Sequence, residues 1–154
     1  MEIDGDTVSV QGSVCVVANV EISASRNDSV VEWAVYIEKI PNRCWIGIVP
    51  GPLLEIGSRW KIGECPPMEG IGVENTYGKV YKGPSKLDAS LFRAPKNRDI
   101  IRFKVDFASD TLWGSLNDEK VDKVWYSGKD LPKMCCIAII NSTGRGKFQL
   151  RGSG

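Results

Sequence analysis

The sequence predicts an all-β fold of two packed antiparallel sheets with little or no helix, and three observations predict it. Apolar and polar residues alternate in short runs, most clearly at Ile101, Phe103, Val105 and Phe107, which are separated by Arg102, Lys104 and Asp106; this is the period of a strand with one buried and one wet face. Gly and Pro, 16 and 8 in number, set these runs apart, as turn residues do in loop-rich β proteins. No stretch holds a helical period long enough to make a helix.

In chain order, Val8 to Val10 and Val14 to Ile22 read as the first strands, separated by Gln11-Gly12-Ser13. Ser23 to Ser29 is a polar loop. Val31, Trp33, Val35 and Ile37 then form the inward face of a strand, and Cys44 to Val49 is expected to return beside it as a hairpin closed by Pro41-Asn42. Pro50 to Glu69 holds four of the eight prolines, a density that argues against a central strand. Gly70 to Glu74 and Lys79 to Lys82 form a hairpin around Asn75 to Gly78, and Gly83 to Asn97 reads as loop. Ile101 to Phe107 and Thr111 to Leu116 close over Ala108-Ser109-Asp110, whose Ser and Asp hydrogen-bond their own backbone. Trp125 to Lys133 reads as a connection, Cys136 to Ile140 as an apolar strand, Asn141 to Gly146 as a turn, and Lys147 to Arg151 as the last strand. The closing Arg-Gly-Ser-Gly carries no structural signal.

At 154 residues the chain fits one domain, and a chain of that size buries roughly 68–70% of its unfolded surface without needing a disulfide or a metal. Twenty Lys and Arg stand against nineteen Asp and Glu, so no long-range field favours nucleic acid or an acidic membrane. The five cysteines, Cys15, Cys44, Cys65, Cys135 and Cys136, are odd in number and lack C-x-x-C spacing. They read as buried free thiols in a reducing compartment. The first ten residues carry no apolar signal core, and no later segment approaches a membrane span. The expectation is an intracellular protein, cytoplasmic or nuclear, and monomeric as an isolated domain.

With no histidine at all, Ser-His-Asp triads, Cys-His pairs and histidine zinc sites are excluded. Catalysis would have to rest on carboxylates such as Glu64, Glu69 and Glu74, but these are spread through a Pro-containing loop and a strand rather than alternating on one face. Trp33, Trp45 and Trp113 sit within strands and are assigned to packing. Trp60 lies beside Arg59 and Lys61 in the irregular segment, where a contact role and a loop-packing role both stand. Tyr77 and Tyr81 interleave with Lys79 and Lys82, but in a chain so balanced in charge the segment reads as a solvated strand face rather than an RNA-binding strand.

The hairpin from Arg98 to Asp118, RDIIRFKVDFASDTLWGSLND, resembles the D-V-I-G-V-L-L-D-L-D-A-G-T-L-S-F-Y-L-N-G segment of the SPRY domain family. Further segments are similar in the same order: EWAVYIEKI to its Y-W-E-V-E-I-E strand, CWIGIV to W-x-I-G-V, GIGVENTYGKVYKG to G-W-G-Y-x-x-N-G-x-x-Y-H-N-G, and MCCIAII to Y-P-A-V-S-L. The resemblance runs from about Val31 to Arg151, leaving residues 1–30 as N-terminal strands packed on that core. Ile71 stands where the family usually has Trp, Arg102 where it often has Gly, Gly114-Ser115 where it has two large residues, and Cys135 where it has Pro.

The resemblance implies a single bent, concanavalin-like sandwich acting as a non-enzymatic, cofactor-free protein-interaction module, part of a substrate-recruiting or scaffold protein, that recognises a peptide or protein surface with its loops. The expected hairpin brings Ser23 to Ser29 and Pro50 to Glu69 to one end, and family resemblance adds Asn141 to Gly146. The predicted contact patch is Leu53, Leu54 and Trp60, surrounded by Arg26, Asn27, Arg59, Asn141, Ser142 and Arg145. A sandwich-fold carbohydrate-binding protein or glycoside hydrolase is the alternative, resting on the Trp count and the fold class.

Overall fold

The computed structural model describes residues 2–4, 6–18, 22–23, 29–50, 60–62, 70–117 and 123–152. Among them the chain forms strands only: β1 Glu2–Asp4, β2 Thr7–Gln11, β3 Val14–Ala18, β4 Ile22–Ser23, β5 Val30–Lys39, β6 Arg43–Pro50, β7 Trp60–Ile62, β8 Ile71–Glu74, β9 Lys79–Lys82, β10 Ser85–Ser90, β11 Ile100–Asp106, β12 Thr111–Leu116, β13 Lys123–Ser127, β14 Met134–Thr143 and β15 Arg145–Gly152. They build a seven-stranded sheet, β1-β2-β15-β5-β11-β12-β13, and an eight-stranded sheet, β10-β9-β8-β6-β14-β3-β7, in which β4 also pairs with β14. All described pairings are antiparallel.

The alternation read from the sequence decides what lies between the sheets. Val35, Ile37, Ile101, Phe103, Val105, Phe148 and Leu150 from one sheet meet Val16, Ile46, Ile48, Ile71, Val73, Ile137 and Ile139 from the other. Trp125 joins this core, edge-on to Phe103 at 5.5 Å between ring centroids and 86° between planes. Its indole occupies the space that a side chain at Gly114 would fill, so the small residue in β12 is the complement of the large one in β13.

Several expectations are corrected. β5 and β6 are not a hairpin: they belong to different sheets, and residues 40–42 form a corner between the layers. Pro and Asn suit either geometry, and the partners of β5 (β11 and β15) and of β6 (β14 and β8) decide between them. Segments read as loop or connection contain β7, β10 and β13, and the closing Arg151 and Gly152 lie within β15. Cys15 is disulfide-bonded, so the thiols are not all free. Cys44, Cys135 and Cys136 are free and buried.

The segment between β10 and β11 is tied down by Asp99, which is 4% exposed. Arg93 donates to both carboxylate oxygens, at 2.6 and 2.9 Å, the Lys96 N–H donates at 2.8 Å and Asn117 Nδ2 at 2.9 Å. The backbone of Asp99 and Arg98 brackets Ile37 of β5, with Ile37 N–H donating to the Asp99 carbonyl at 2.8 Å and Arg98 N–H to the Ile37 carbonyl at 2.6 Å. Burial pushes the Asp99 carboxyl up, but the bonds from Arg93, Asn117 and Lys96 and the charge of Arg93 outweigh it and hold the group at about 2.

Because the folded value lies below the ordinary 3.8, this contribution to stability is complete above about pH 4 and is lost as pH falls towards about 2, a loss of about 2 kcal/mol. Urea midpoints should therefore fall across that window in the parent chain. In Asp99→Asn the neutral amide cannot hold Arg93, so stability at neutral pH should drop by about 2–4 kcal/mol and this part of the acid dependence should disappear.

Candidate functional site

The described members of the predicted patch, Trp60, Asn141, Ser142 and Arg145, do not share one surface. Arg26, Asn27, Leu53, Leu54 and Arg59 lie outside the described residues. The residues that precede those loops do converge, since Ser23 pairs with Met134 and Pro50 with Cys135 at the start of β14, whereas Ser29, which follows the first, bonds to Phe107 and Asp106. The Asn141 to Gly146 turn lies at the other end of the same ladder, where Thr143 pairs with Arg43, roughly 23 Å away at 3.3 Å per residue. Trp60 opens β7, level with Ala18 at the edge of the eight-stranded sheet, whereas Arg145 opens β15 in the seven-stranded one.

Asn141 is a correction of a second kind, because it is 1% exposed and its side chain faces inward. Its Nδ2 donates to the Gly12 carbonyl at 2.7 Å and to the Gly144 carbonyl at 3.0 Å. It fastens the β2–β3 turn to the β14–β15 turn and is not offered to a partner. Ser142 and Arg145 are exposed, but they face different grooves.

Ser142 lines a groove of about 350 Å³ with Arg43, Trp45, Thr76, Tyr77, Tyr81 and Ile140. Register explains how it forms. Across the outer face of the eight-stranded sheet, Glu74, Trp45, Ile140 and Cys15 stand in one row. Tyr81, Gly72, Gly47, Ala138 and Val17 stand in the next. The glycines leave a trough into which the Trp45 indole lies flat: Cβ atoms at Gly70 and Gly72 would approach it to 2.8 and 2.6 Å. The half-buried ring becomes the groove floor, with Tyr81 beside it.

The rim is stiff. Glu74 accepts hydrogen bonds from the N–H groups of Thr76 at 2.6 Å and Tyr77 at 2.9 Å. Asn75 accepts from Cys44 N–H at 2.8 Å and donates to the carbonyls of Pro41 and Asn42, locking the β8–β9 turn to the corner between the sheets. Tyr77 is therefore held 72% exposed on an ordered turn. In the sequence, Trp45 reads as packing and Tyr77 and Tyr81 as a solvated face. The overlooked signal is glycine at alternate positions, Gly70 and Gly72 beside Gly47, which marks a sheet face cleared for an aromatic ring.

The chemistry of the groove favours contact over catalysis. Burial pushes the Cys44 thiol up to about 12, with the Glu74 charge adding to the effect, so it supplies no thiolate. Burial also raises the Glu74 carboxyl, but hydrogen bonds from Tyr77, Thr76 and Lys79 outweigh it and hold it below its ordinary range, the reverse of what a general acid needs. No group of three or more metal-ligating side chains occurs among the described residues. Two outcomes follow. Cys44 should resist iodoacetamide at pH near 8 in the native protein and react once the chain is unfolded in urea. Gly72→Ala should cost about 1–3 kcal/mol in chemical denaturation and alter Trp45 fluorescence, because its methyl group would press on the Ile46 carbonyl and the indole.

No family model matches this sequence, and no curated protein matches it. Solved structures do. The SPRY domain of human HERC1 superposes with a TM-score of 0.73 at 13% identity, over 97% of this chain and 90% of that one. A human SPRY domain gives 0.66 at 19% identity over 99% and 95%, and the TRIM65 PSpry domain 0.54 at 12% over 90% and 71%. With two antiparallel sheets matched along almost its whole length, the chain has the β-sandwich fold of a SPRY domain.

Proposed function

We propose that this chain is a non-enzymatic protein-interaction module, and that it recognises a peptide segment in the groove over Trp45. The observation that carries this reading is a rigid aromatic surface: an indole floor, Tyr81 beside it, and Tyr77 standing exposed on a turn fixed by Glu74 and Asn75. Tyr and Trp dominate the energetics of protein contacts because they bury much area while losing little rotamer freedom. Arg43, Thr76 and Ser142 supply polar contacts around the ring, as the rim of an interface does. A groove of about 350 Å³ suits one or two side chains of a bound segment rather than a whole domain. The fold shared with SPRY domains supports the same reading. A scaffold or substrate-recruiting role, and action inside the cell, belong to the proposal.

The test is a partner captured by affinity pull-down, followed by affinities for Tyr77→Ala, Ser142→Trp and a control, Val124→Ala, on the other sheet. Tyr77→Ala should weaken binding by about thirtyfold, about 2 kcal/mol, with the melting temperature unchanged; Ser142→Trp should block the groove. Unchanged affinity in both groove variants would remove the site. Glycan-array binding lost in Tyr77→Ala would replace the peptide reading with a sugar-binding one.

A further inference from the structure

Arg145, Lys147, Gln149 and Arg151 alternate along β15 with Gly146, Phe148 and Leu150, whose side faces the core. The polar residues therefore stand in a line on the outer face of the seven-stranded sheet, roughly 6.7 Å apart. A register shift between β15 and β5 sets Lys39 opposite Lys147, so that a bulge adds a cation to the line. Lys39, Arg145 and Lys147, with Ser9 and Gln11, line a groove of about 480 Å³. At the far end of the line, register places Arg151 and Arg102 on either side of the buried Ala34, about 10 Å apart across two strand spacings.

Both of these guanidinium groups are pre-oriented. Arg151 lies 4.3 Å from the centroid of the Tyr36 ring and donates from Nε to Gln149 at 3.0 Å. Arg102 donates from Nε to the Asn117 carbonyl at 3.2 Å. Neither has a carboxylate partner among the described residues. Glu38 meets Lys147 at 3.5 Å with both side chains about half exposed, a pair that water and salt weaken. Glu32 stands in register with Lys104, one outward-facing position beyond Ala34 on β5.

We infer that this face is a second docking surface, which takes an acidic, extended segment of a partner protein along β15. Charge complementarity selects the occupant: the row along β15 carries Arg145, Lys147 and Arg151 with no acidic residue in it and has Lys39 and Arg102 beside it, while the acids of the same face, Glu32 and Glu38 on β5, Asp106 on β11 and, by register, Glu2 and Asp4 on β1, stand outside that row; three of the five cations are Arg forks suited to carboxylates. An extended peptide repeats its side chains at the same spacing as β15. Nucleic acid fits less well, because the two aromatic rings of the face, Tyr36 and Trp113, are covered by Arg151 and Lys104 and offer no plane for base stacking.

The inference stands apart from the Trp45 groove, which lies on the other sheet, and the experiment separates them. Fluorescence anisotropy is measured on the full chain with a labelled peptide of alternating Glu and Ser, its Gln-Ser counterpart, a single-stranded oligonucleotide and phosphatidylserine vesicles. The Glu-Ser peptide alone should bind. Arg145→Gln/Lys147→Gln and Arg102→Gln/Arg151→Gln should each weaken it about tenfold or more, and added salt should weaken the parent complex further. Tyr77→Ala and Lys86→Gln on the other sheet should leave it unchanged. If Arg151→Gln lowers the melting temperature by releasing Tyr36, Arg145→Gln carries the test alone. Absence of peptide binding at low salt, equal loss in Lys86→Gln, or tighter binding of the oligonucleotide or vesicles would overturn the inference.

Discussion

One buried carboxylate sets the arrangement of the seven-stranded sheet. Asp99 gathers Arg93, Lys96 N–H and Asn117 around itself, while its own backbone and that of Arg98 hold Ile37 of β5. Asn117, so fixed, accepts from Ile100 N–H through Oδ1 at 2.8 Å and closes the β11–β12 pair. The loop, β5, β11 and β12 are thus registered against one point. A slip of one residue there would turn Phe103 and Val105 outward and Lys104 inward, so the charge lies beneath both the core and the outer face. The geometry needs Arg98 and Asn117 at φ of 72° and 56°, a region side chains seldom adopt, and the hydrogen bonds around Asp99 offset that strain.

Side-chain amides do the corresponding work where the two sheets meet. Asn75 joins the β8–β9 turn to the corner between β5 and β6, and Asn141 joins the turn after β2 to the turn after β14. Asn75 donates and accepts at once, whereas Asn141 only donates, to two carbonyls, and its buried Oδ1 has no partner among the described residues; neither carries a charge to desolvate. Gly144, at φ of 90°, passes close to Asn42, so the last turn closes onto the corner. A stiff end results, and the aromatic groove is built from its residues.

Strand alternation made the core legible in the sequence: β11 follows the period strictly, with Ile101, Phe103 and Val105 buried between more exposed neighbours, and Val35 and Ile37 of β5 and Leu112 and Leu116 of β12 are buried as their pattern requires, although the outward Ala34, Thr111 and Ser115 are covered as well. The missed strands lack that signal for physical reasons. β10, SKLDAS, is an edge strand without a fully buried residue, and β13 buries only Trp125, between the exposed Val124 and the half-buried Tyr126. Sheet membership is hidden because a turn sequence specifies reversal but not whether the chain pairs with itself or crosses to another layer. Asn141 reads as a surface turn residue, and only the approach of Gly12, 129 positions away, turns it inward. The aromatic groove was not legible in the sequence for the same reason. Ser142 and Arg145 entered the predicted patch through the family resemblance rather than through local pattern, and the Trp45 floor depends on Gly47 and Gly72 coming opposite each other across strands distant in sequence.

The two surfaces face away from one another by construction. Ser142 lies one residue before the end of β14 in the eight-stranded sheet, Gly144 turns the chain, and Arg145 begins the seven-stranded sheet's β15. Three positions therefore separate an aromatic groove on one outer face from a cationic line on the other, with the core between them. Partners seated on opposite layers do not compete for area. Their chemistries also differ, since burial of aromatic surface responds little to salt whereas exposed Arg and Lys contacts are screened by it. A sandwich closed by rigid amide crosslinks at this end holds the two faces at a fixed offset, so whatever binds each is positioned relative to the other by the fold itself.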